Sequence, residues 1–473
     1  MMSFVSNVSY PERLSQQQLE RVITKRVGIL GMARSGLAVA RLLRSYGAKV
    51  FISDQKPESE LKDKITILKE LGIEWETGGH TSKVWSDKDF LVISPGIFPD
   101  IEAIKKAESM KLPVYSEIEI AGWLCPARII GITGTNGKTT TTMLLGEILK
   151  KAGLEVQVAG NTGVAFADLA DSLSDKGNAV LELSSFQLER IADFKPHIAV
   201  LLNISPDHLD RYQDFESYLK AKLRIFENQS PDDYAVVNAD DPSTPRIKKN
   251  VSSKSILFGT KSKLARGVYL KENHLVSTVN GKEAQIIAAS KIGIKGLHNL
   301  YNAAAATAVS QLVGVGDSHI ASVLEQFKGV EHRLEEVATI NGIKFINDSK
   351  ATNVNSVLNA LQTVPAPVIL IAGGKGKGES FLPLSKLIKE KVKFLILIGQ
   401  ASDQIKSELG SFSKTMTAST LLEAVMMAFN KAQGEDTILL SPACASFDMF
   451  KDFEDRGREF KKAVAELQRK YGK

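Results

Sequence analysis

Cysteine is scarce in this chain of 473 residues, which contains only Cys125 and Cys444. Two cysteines cannot build a disulfide framework, so we expect two reduced thiols. Long apolar runs are also lacking, because none approaches the roughly 20 residues that a membrane-spanning helix needs. The first 26 residues are too polar for a signal peptide. We therefore expect a cytoplasmic protein without membrane insertion.

The sequence has no strong excess of one charge sign. Its 60 basic and 54 acidic residues are mixed along the chain and leave a net charge of +6. A nucleic-acid groove usually needs a stronger and more concentrated positive charge, so we expect no nucleic-acid partner, whereas small anionic substrates fit. The hydrophobic content of 43% is that of an ordinary globular protein.

Short apolar runs alternate with helical patterns along the chain, which predicts an α/β fold with parallel sheets. At roughly 150 residues per domain, the length predicts about three domains. The predicted domains are 1–124, 125–329 and 330–473. The predicted strands are 27–30, 49–53, 90–93, a run around 114, 128–132, 179–183, 198–202, 234–238, 368–371, 394–398 and 437–440. The predicted helices include 138–151 and 299–312.

The segment 131–140 reads GITGTNGKTT and lies between a predicted strand and a predicted helix. Its glycines allow backbone N–H groups to surround phosphate oxygens, Lys138 can reach the terminal phosphates, and Thr139 can face a magnesium ion. The usual pattern requires glycine at the position of Ile132, so the loop departs from the strict spacing. The alternative is a glycine-rich turn before a helix, but the Gly-Lys-Thr-Thr run favours a nucleoside triphosphate site.

Polar residues follow two later strands of the same predicted domain. Glu182 ends one strand, and Asp207 and His208 follow the next. Because the carboxyl ends of parallel strands line the ligand crevice, we expect these side chains to converge on the phosphates, where oxygen ligands suit magnesium. The alternative is that the acids cap helices and His208 is an ordinary hydrogen-bonded histidine. Lys222 lies on a predicted amphipathic helix, and the residues alone predict that it faces water.

Two further patterns leave alternatives open. Gly28, Gly31 and Gly36, followed by Asp54, resemble a dinucleotide fingerprint but lack its spacing. They fit a nicotinamide site, another nucleotide site or a tight strand-to-helix connection. Cys444 could be interpreted as a nucleophile, but the sequence places no base near it and a packing role is favoured.

A series of motifs resembles the Mur ligase family from about residue 27 to the C-terminus. The motifs are GKTT at 137–140, GNTG at 160–163, ELSSFQL at 182–188, SPDHLDRY at 205–212, GLHNLYN at 296–302, EHR at 331–333, NDSKATN at 347–353, GGKGKG at 373–378 and SPACASFD at 441–448. The SSFQ, DSKATN and SPACAS stretches favour the branch of the family that adds D-glutamate. Thr162 and Lys375 depart from the family pattern without removing a functional group.

The resemblance implies a Rossmann-like first domain that binds a UDP substrate, a central P-loop ATPase-like domain with a parallel sheet, and a Rossmann-like C-terminal domain that binds the amino acid. It implies an ATP-dependent amide ligase of cytoplasmic peptidoglycan precursor synthesis, acting as a monomer. Its implied substrates are UDP-N-acetylmuramoyl-L-alanine and D-glutamate, joined through an acyl phosphate. The implied cofactors are ATP, two Mg²⁺ ions and a carbamylated Lys222.

The functional residues of the family fall on positions of this sequence that match its motifs. The implied catalytic residues are Lys138, Asn161, His208 and Lys222. The implied ATP-binding residues are Gly134, Thr135, Asn136, Gly137, Lys138, Thr139, Thr140, Asn302, Arg333 and Asp348. The implied metal ligands are Thr139, Glu182, His208 and Lys222. The implied UDP-substrate contacts are Ser35, Asp54, Gln55, Gly96 and Asn161, and the implied D-glutamate contacts are Thr352, Lys377, Ser446 and Phe453.

Three other functions remain to be distinguished. Another amide ligase of the superfamily, such as a meso-diaminopimelate-adding ligase or a folylpolyglutamate synthase, would take a different acceptor. A nicotinamide-dependent dehydrogenase would use the N-terminal glycines and leave Lys138 unexplained. A non-catalytic nucleotide switch would keep Lys138 but need no acyl acceptor.

Overall fold

Three β-sheets form the framework of the computed structural model, which describes residues 14–161, 163–208, 211–249 and 251–472. The strands are β1 Arg26–Leu30, β2 Lys49–Asp54, β3 Glu74–Thr77, β4 Phe90–Ile93, β5 Val114–Ser116, β6 Arg128–Thr133, β7 Val156–Gly160, β8 Asn178–Glu182, β9 Ile198–Leu201, β10 Tyr234–Asn238, β11 Lys254–Phe258, β12 Gly267–Lys271, β13 His274–Ser277, β14 Ala284–Ala288, β15 Glu335–Ile340, β16 Ile343–Asn347, β17 Val368–Gly373, β18 Val392–Ile398, β19 Lys414–Thr417 and β20 Thr437–Leu440. The predicted α/β class with three domains is confirmed, while the domain boundaries remain predictions.

Helices connect most of the parallel strands, as crossover connections require. They are α1 Gln16–Glu20, α2 Arg34–Ser45, α3 Lys62–Glu70, α4 Glu102–Ser109, α5 Glu117–Trp123, α6 Lys138–Lys151, α7 Ser185–Leu188, α8 Phe215–Leu223, α9 Thr244–Lys249, α10 Leu297–Leu312, α11 Asp317–Gln326, α12 Val354–Thr363, α13 Ser385–Lys391, α14 Ser402–Leu409, α15 Leu421–Lys431 and α16 Phe453–Tyr471. Among the described residues, none of these helices combines the length and apolarity needed to cross a lipid bilayer.

The first sheet has the order β3-β2-β1-β4-β5 and is parallel throughout. Strand β4 is buried along its whole length, which explains its uninterrupted apolar sequence. Strands β2 and β4 lie on opposite sides of β1, so the direction of strand order reverses at β1. Ligands bind at such a switch point, outside the carboxyl ends of the strands.

The second sheet has the order β14-β13-β12-β11-β10-β9-β6-β8-β7. Strand β6 lies between β8 and β9 and runs parallel to both. The loop that follows β6 therefore emerges at the carboxyl edge of the sheet, beside the ends of two neighbouring strands. Strands β12, β13 and β14 form an antiparallel extension, which the sequence did not predict.

The third sheet has the order β15-β16-β20-β17-β18-β19, with β15 antiparallel to β16 and the other pairs parallel. Separate apolar clusters pack on its two faces, one including α12 and the other α15 and α16. By its internal packing the chain divides into two compact units. The first contains the first two sheets, and the second contains the third sheet together with residues 206–215 and 291–300.

Candidate active site

The segment 134–137 forms a tight turn between β6 and α6, as the sequence predicted. Gly137 caps α6 with a φ of +88°, a backbone conformation that residues with a side chain rarely adopt. A Cβ atom at Gly137 would lie 2.3 Å from Asn302 Oδ1. Asn302, one of the residues implied to bind ATP, therefore contacts the predicted phosphate loop directly.

Asn203 holds this loop in place and was missed as a site residue. Its side-chain oxygen accepts a hydrogen bond from Asn136 N at 2.9 Å, and its Nδ2 donates to Asn136 O at 2.9 Å. Its carbonyl accepts from Thr135 N at 3.0 Å. Asn203 follows the end of β9, so its place after a predicted parallel strand is the signal that could have identified it.

Lys138 directs its ammonium group over the turn. Its Nζ donates to the carbonyl oxygens of Gly134 and Thr135, both at 2.9 Å. Thr140 Oγ1 is buried in the first turn of α6 and has no hydrogen-bond partner among the described residues. A helix N-terminus with a lysine and hydroxyl groups is suited to hold the phosphates of a nucleotide.

Glu182 and Asn161 lie together at the end of β8, which neighbours β6. The Glu182 side chain is only 3% exposed. Its Oε1 accepts a hydrogen bond from Asn161 Nδ2 at 3.0 Å, and its carbonyl accepts from Asn161 N at 2.8 Å. From the first domain, Arg34 Nη2 donates to Asn161 O at 2.8 Å. The structure thus brings Glu182 and Asn161 together, although their roles remain predictions.

Lys222 corrects one expectation drawn from the residues alone. It lies on α8 but is only 2% exposed, so the prediction that it faces water is wrong, whereas Lys220 on the same helix is exposed. Lys222 Nζ lies 4.8 Å from the ring centroid of Tyr218. The Tyr218 hydroxyl is 3.1 Å from Thr135 Oγ1 in the phosphate loop. Lys222 is therefore linked to the predicted ATP site through one tyrosine.

The glycines after β1 make a close connection between this strand and α2. Gly31 has a φ of +93°, and a Cβ atom at Gly36 would lie 1.9 Å from Gly31 O. Asp54 closes the same turn, because its Oδ2 accepts from Met32 N at 2.7 Å. This spacing is that of a tight strand-to-helix connection, one of the three possibilities left open by the sequence.

Four of the five residues implied to contact the UDP substrate lie near the carboxyl ends of strands in the first sheet, whereas Asn161 follows β7 of the second sheet. Ser35 is in the first turn of α2 after β1, Asp54 ends β2 and is followed by Gln55, and Gly96 follows β4. Gln55 and Gly96 are exposed. This edge contains the switch point of the sheet, which supports a ligand site there. Thr162, noted in the sequence, lies outside the described residues.

In the second unit, Asp207 joins three polar residues. Its Oδ2 accepts from Asn353 Nδ2 at 3.2 Å, and its Oδ1 lies 3.8 Å from Lys377 Nζ and accepts from His208 N at 2.9 Å. His208 has a φ of +55°, which is unusual for a residue with a side chain. A predicted catalytic residue and a predicted D-glutamate contact, His208 and Lys377, therefore share one carboxylate.

Asp348, one of the residues implied to bind ATP, is buried at the end of β16. Its Oδ2 accepts from Ser441 Oγ at 2.7 Å. Burial raises the pKa of the Asp348 carboxyl to about 7, although the charge of Arg333 acts in the opposite direction. Arg333 and the partly buried His298 also interact, and desolvation together with this charge lowers the His298 pKa to about 4. The two implied ATP contacts, Arg333 and Asp348, are thus electrostatically coupled.

Phe453, one of the implied D-glutamate contacts, begins α16. Lys350 Nζ lies 3.8 Å from the centroid of the Phe453 ring, which packs edge-on against His332 at 6.4 Å between centroids. Ser446 is buried and Thr352 is partly buried. Lys350 lies within the NDSKATN motif but was not among the predicted site residues.

Cys444 has the environment of a packing residue. It is fully buried, and burial raises the pKa of its thiol to about 12. A reactive cysteine needs a lowered pKa and access to its substrate. The interpretation of Cys444 as a nucleophile is therefore not supported.

Glu331, His332 and Glu335 bring one ligand atom each within 4.8 Å of one another. Lys461 already pairs with both acids, because its Nζ donates to Glu331 at 2.7 Å and to Glu335 at 2.8 Å. This cluster, in which His332 is buried and Glu331 is exposed, is a charge-paired group rather than a candidate for the predicted magnesium site, whose implied ligands lie elsewhere.

Three family models match the chain. A Mur ligase middle domain matches residues 132–310, a Mur ligase glutamate ligase domain matches 332–444, and a MurD N-terminal domain matches 26–103. The chain is also 44% identical to a UDP-N-acetylmuramoylalanine–D-glutamate ligase from Geotalea daltonii, over 94% of this chain and 98% of that protein. It is 45% identical to a ligase of the same name from a Thermoanaerobacter species, over 94% of this chain and 99% of that protein.

Solved structures with lower identity share the fold. MurF from Acinetobacter baumannii superposes with a TM-score of 0.64 at 18% identity, covering 96% of this chain and 99% of that one. UDP-N-acetylmuramate–alanine ligase from Thermotoga maritima gives 0.59 at 21% identity, covering 93% and 99%. With three domain models in order and relatives above 40% identity along nearly the whole length, the chain belongs to the Mur ligase family.

Proposed function

We propose that this protein joins D-glutamate to UDP-N-acetylmuramoyl-L-alanine with hydrolysis of ATP, in the synthesis of peptidoglycan precursors for the cell wall. The observation that carries the proposal is the phosphate loop with Lys138 above it and the buried Glu182 beside it. The names of the relatives, which are ligases for this reaction, select the substrates. A dehydrogenase would leave this loop without a role, and a nucleotide switch would have no need of an acyl acceptor.

The reaction must overcome the low reactivity of a carboxylate toward an amine. Transfer of the γ-phosphoryl group from ATP to the alanine carboxylate gives an acyl phosphate and ADP. The D-glutamate amine then attacks the carbonyl carbon, the new C–N bond forms, and the C–O bond to phosphate breaks. Inorganic phosphate leaves and the nitrogen loses a proton, so that one amide, one ADP and one phosphate are formed.

The residues of the phosphate loop would position and neutralise the transferred group. Lys138 supplies a positive charge close to the loop carbonyls, and the N–H groups at the start of α6 supply further donors. Thr139 and Glu182 offer the hydroxyl and carboxylate oxygens that magnesium prefers, so the donor set fits this ion. Bound magnesium would neutralise phosphate charge during transfer. Asn302, in contact with Gly137, would help to place the nucleotide.

Lys222 would serve as a carbamylated ligand for a second magnesium ion. A buried lysine is costly unless its charge is compensated or removed. Reaction of the neutral amine with CO₂ forms an N–C bond, releases a proton and converts the side chain into a carboxylate. The burial of Lys222 and its link to the phosphate loop through Tyr218 support this role.

The remaining assignments follow the three sheets. The domain 1–124 would bind the UDP substrate through Ser35, Asp54, Gln55 and Gly96, with Asn161 at its border. Arg333 and Asp348 would bind ATP, and His208 would assist at the reacting carboxylate. The domain 330–473 would hold D-glutamate through the residues Thr352, Lys377, Ser446 and Phe453. We further propose that the protein acts in the cytoplasm, where the precursor and ATP are available, and that it is a monomer.

The test is a coupled assay of the purified protein with ATP and magnesium. ADP release is expected only when UDP-N-acetylmuramoyl-L-alanine and D-glutamate are both present, with one amide formed per ADP. Other amino acids, including meso-diaminopimelate and L-glutamate, are offered singly as controls. Equal activity with another amino acid would assign the protein to a different ligase of the superfamily. Release of ADP without any amide product would contradict the proposal.

A further inference from the structure

Arg456 is the largest fully buried side chain in the described part of the protein. It lies in the first turn of α16, and its guanidinium group makes three hydrogen bonds to two loops of the third domain. Nε donates to Ser349 Oγ at 2.9 Å and Nη2 donates to Ser349 O at 2.8 Å. Nη1 donates to Cys444 O at 3.2 Å. One planar group thus joins the segments 347–353 and 441–448.

A third segment packs against the same guanidinium group. A Cβ atom at Gly374 would lie 3.3 Å from Arg456 Nη1, so a side chain at this position would crowd the arginine. The following residue, Lys375, pairs with Ala445 through two backbone hydrogen bonds of 2.9 and 3.0 Å. The glycine-rich turn 373–378 is therefore fixed to the segment 441–448 beside Arg456.

The contacts of Arg456 coincide with the residues proposed to bind the amino acid. Each of these residues lies within three positions of Arg456 or of a residue that it contacts. They are Thr352 after Ser349, Ser446 after Cys444, Lys377 after Gly374, and Phe453 before Arg456. Ser349 Oγ also donates to Phe453 O at 2.8 Å, which connects the start of the helix to the same network.

We infer that Arg456 is a positioning residue that sets the geometry of the amino-acid pocket by fixing these three loops to the start of α16. The inference rests on the proposed function, because it assigns the pocket to D-glutamate.

Two physical features distinguish this role from ordinary core packing. A buried charge costs several kcal/mol in desolvation, and an apolar residue of similar volume is often as good or better for stability alone. Burial lowers the Arg456 pKa to about 10, so the group is still protonated at neutral pH. The planar guanidinium group fixes the directions of several hydrogen-bond acceptors at once, which a flexible lysine ammonium cannot do.

The test compares Arg456→Lys and Arg456→Met with Arg458→Met. Arg458 lies on the same helix, is about half exposed, and forms ion pairs of 3.7 Å with Asp452 and Asp455. For each variant, KM is measured separately for D-glutamate, ATP and UDP-N-acetylmuramoyl-L-alanine, and thermal unfolding is measured in parallel. We expect both Arg456 variants to raise the KM for D-glutamate at least tenfold. The KM for the UDP substrate should stay within twofold, and Arg458→Met should resemble the wild type.

The outcomes separate positioning from stability. An unchanged KM for D-glutamate in Arg456→Lys overturns the inference, as does an equal rise in all three KM values that follows the loss of thermal stability. Loss of folding in both Arg456 variants assigns the residue to stability alone and also overturns it. Failure of the wild type and of Arg458→Met to use D-glutamate would instead contradict the proposed function.

Discussion

Gly137→Ala should disrupt nucleotide binding through a contact that the structure defines. The residue has a φ of +88°, and the new Cβ would lie 2.3 Å from Asn302 Oδ1 and 3.2 Å from Leu202 Cδ1. The left-handed backbone conformation costs alanine roughly 1–2 kcal/mol, and the short contact forces Asn302 or the loop to move. Loss of one or two hydrogen bonds to charged phosphates, at about 1.5–3 kcal/mol each, should weaken ATP binding by about 10- to 10⁴-fold.

Gly153→Ala is a matched control for backbone strain. Gly153 has a φ of +77°, but a Cβ atom there would meet no atom within 4 Å. It lies beyond the far end of α6, roughly 20 Å from the phosphate loop at about 1.5 Å per residue. Both variants should lose about 1–2 kcal/mol of stability, whereas only Gly137→Ala should bind ATP weakly. Calorimetric titration with ATP and magnesium measures the ATP affinity, and thermal unfolding measures the stability. Wild-type ATP affinity in Gly137→Ala, or equal weakening in both variants, would refute this reasoning.

Three further substitutions test two other residues of the site and one buried carboxyl outside it. Lys138→Ala should lower turnover by on the order of 10²-fold or more, by loss of a preorganised charge; near-normal ligation would exclude its proposed role. Lys222→Ala should be weakly active and partly restored by small carboxylic acids in the assay, while full activity would remove Lys222 from the metal site. Burial raises the Glu117 pKa from 4.5 to about 7. The protonated carboxyl therefore contributes its full stabilisation of the folded protein below pH 4.5, and this contribution is lost as the pH rises to about 7. Glu117→Gln should therefore gain stability relative to the wild type by roughly 3 kcal/mol between pH 4.5 and 8, at about 1.36 kcal/mol per pH unit; a constant difference in unfolding free energy across this range would contradict that account.

The strands were predicted well where both sides of the sheet are covered. Strands β4 and β20 have the predicted bounds, 90–93 and 437–440, because buried parallel strands give short uninterrupted apolar runs. Strands β12 to β14 were missed because they pair as antiparallel hairpins and polar residues interrupt their apolar sequence. Their pairing depends on neighbours across hairpins rather than on a strong local pattern.

In the candidate site, too, features set by a local sequence pattern were predictable and contacts between distant segments were not. The turn between β6 and α6 was predictable because a local run of glycines, lysine and threonines follows an apolar strand. The burial of Lys222 was not predictable from helix periodicity, because it depends on the packing of α8 against a distant segment: the neighbouring Tyr218 hydroxyl contacts Thr135, which lies 83 positions earlier in the chain. Asn203 was missed for the same reason, since its role appears only when the carboxyl ends of β6 and β9 are adjacent. Sequence patterns therefore did not reveal the site features that depend on contacts between distant segments.

Transfer of oxygen from the substrate carboxylate is the most direct measurement of the proposed chemistry. UDP-N-acetylmuramoyl-L-alanine labelled with ¹⁸O in both alanine carboxylate oxygens is incubated with the enzyme, ATP, magnesium and D-glutamate. If an acyl phosphate forms, each released phosphate should carry one ¹⁸O atom and the new amide should retain the other. Unlabelled phosphate accompanying labelled amide would contradict phosphoryl transfer to the carboxylate.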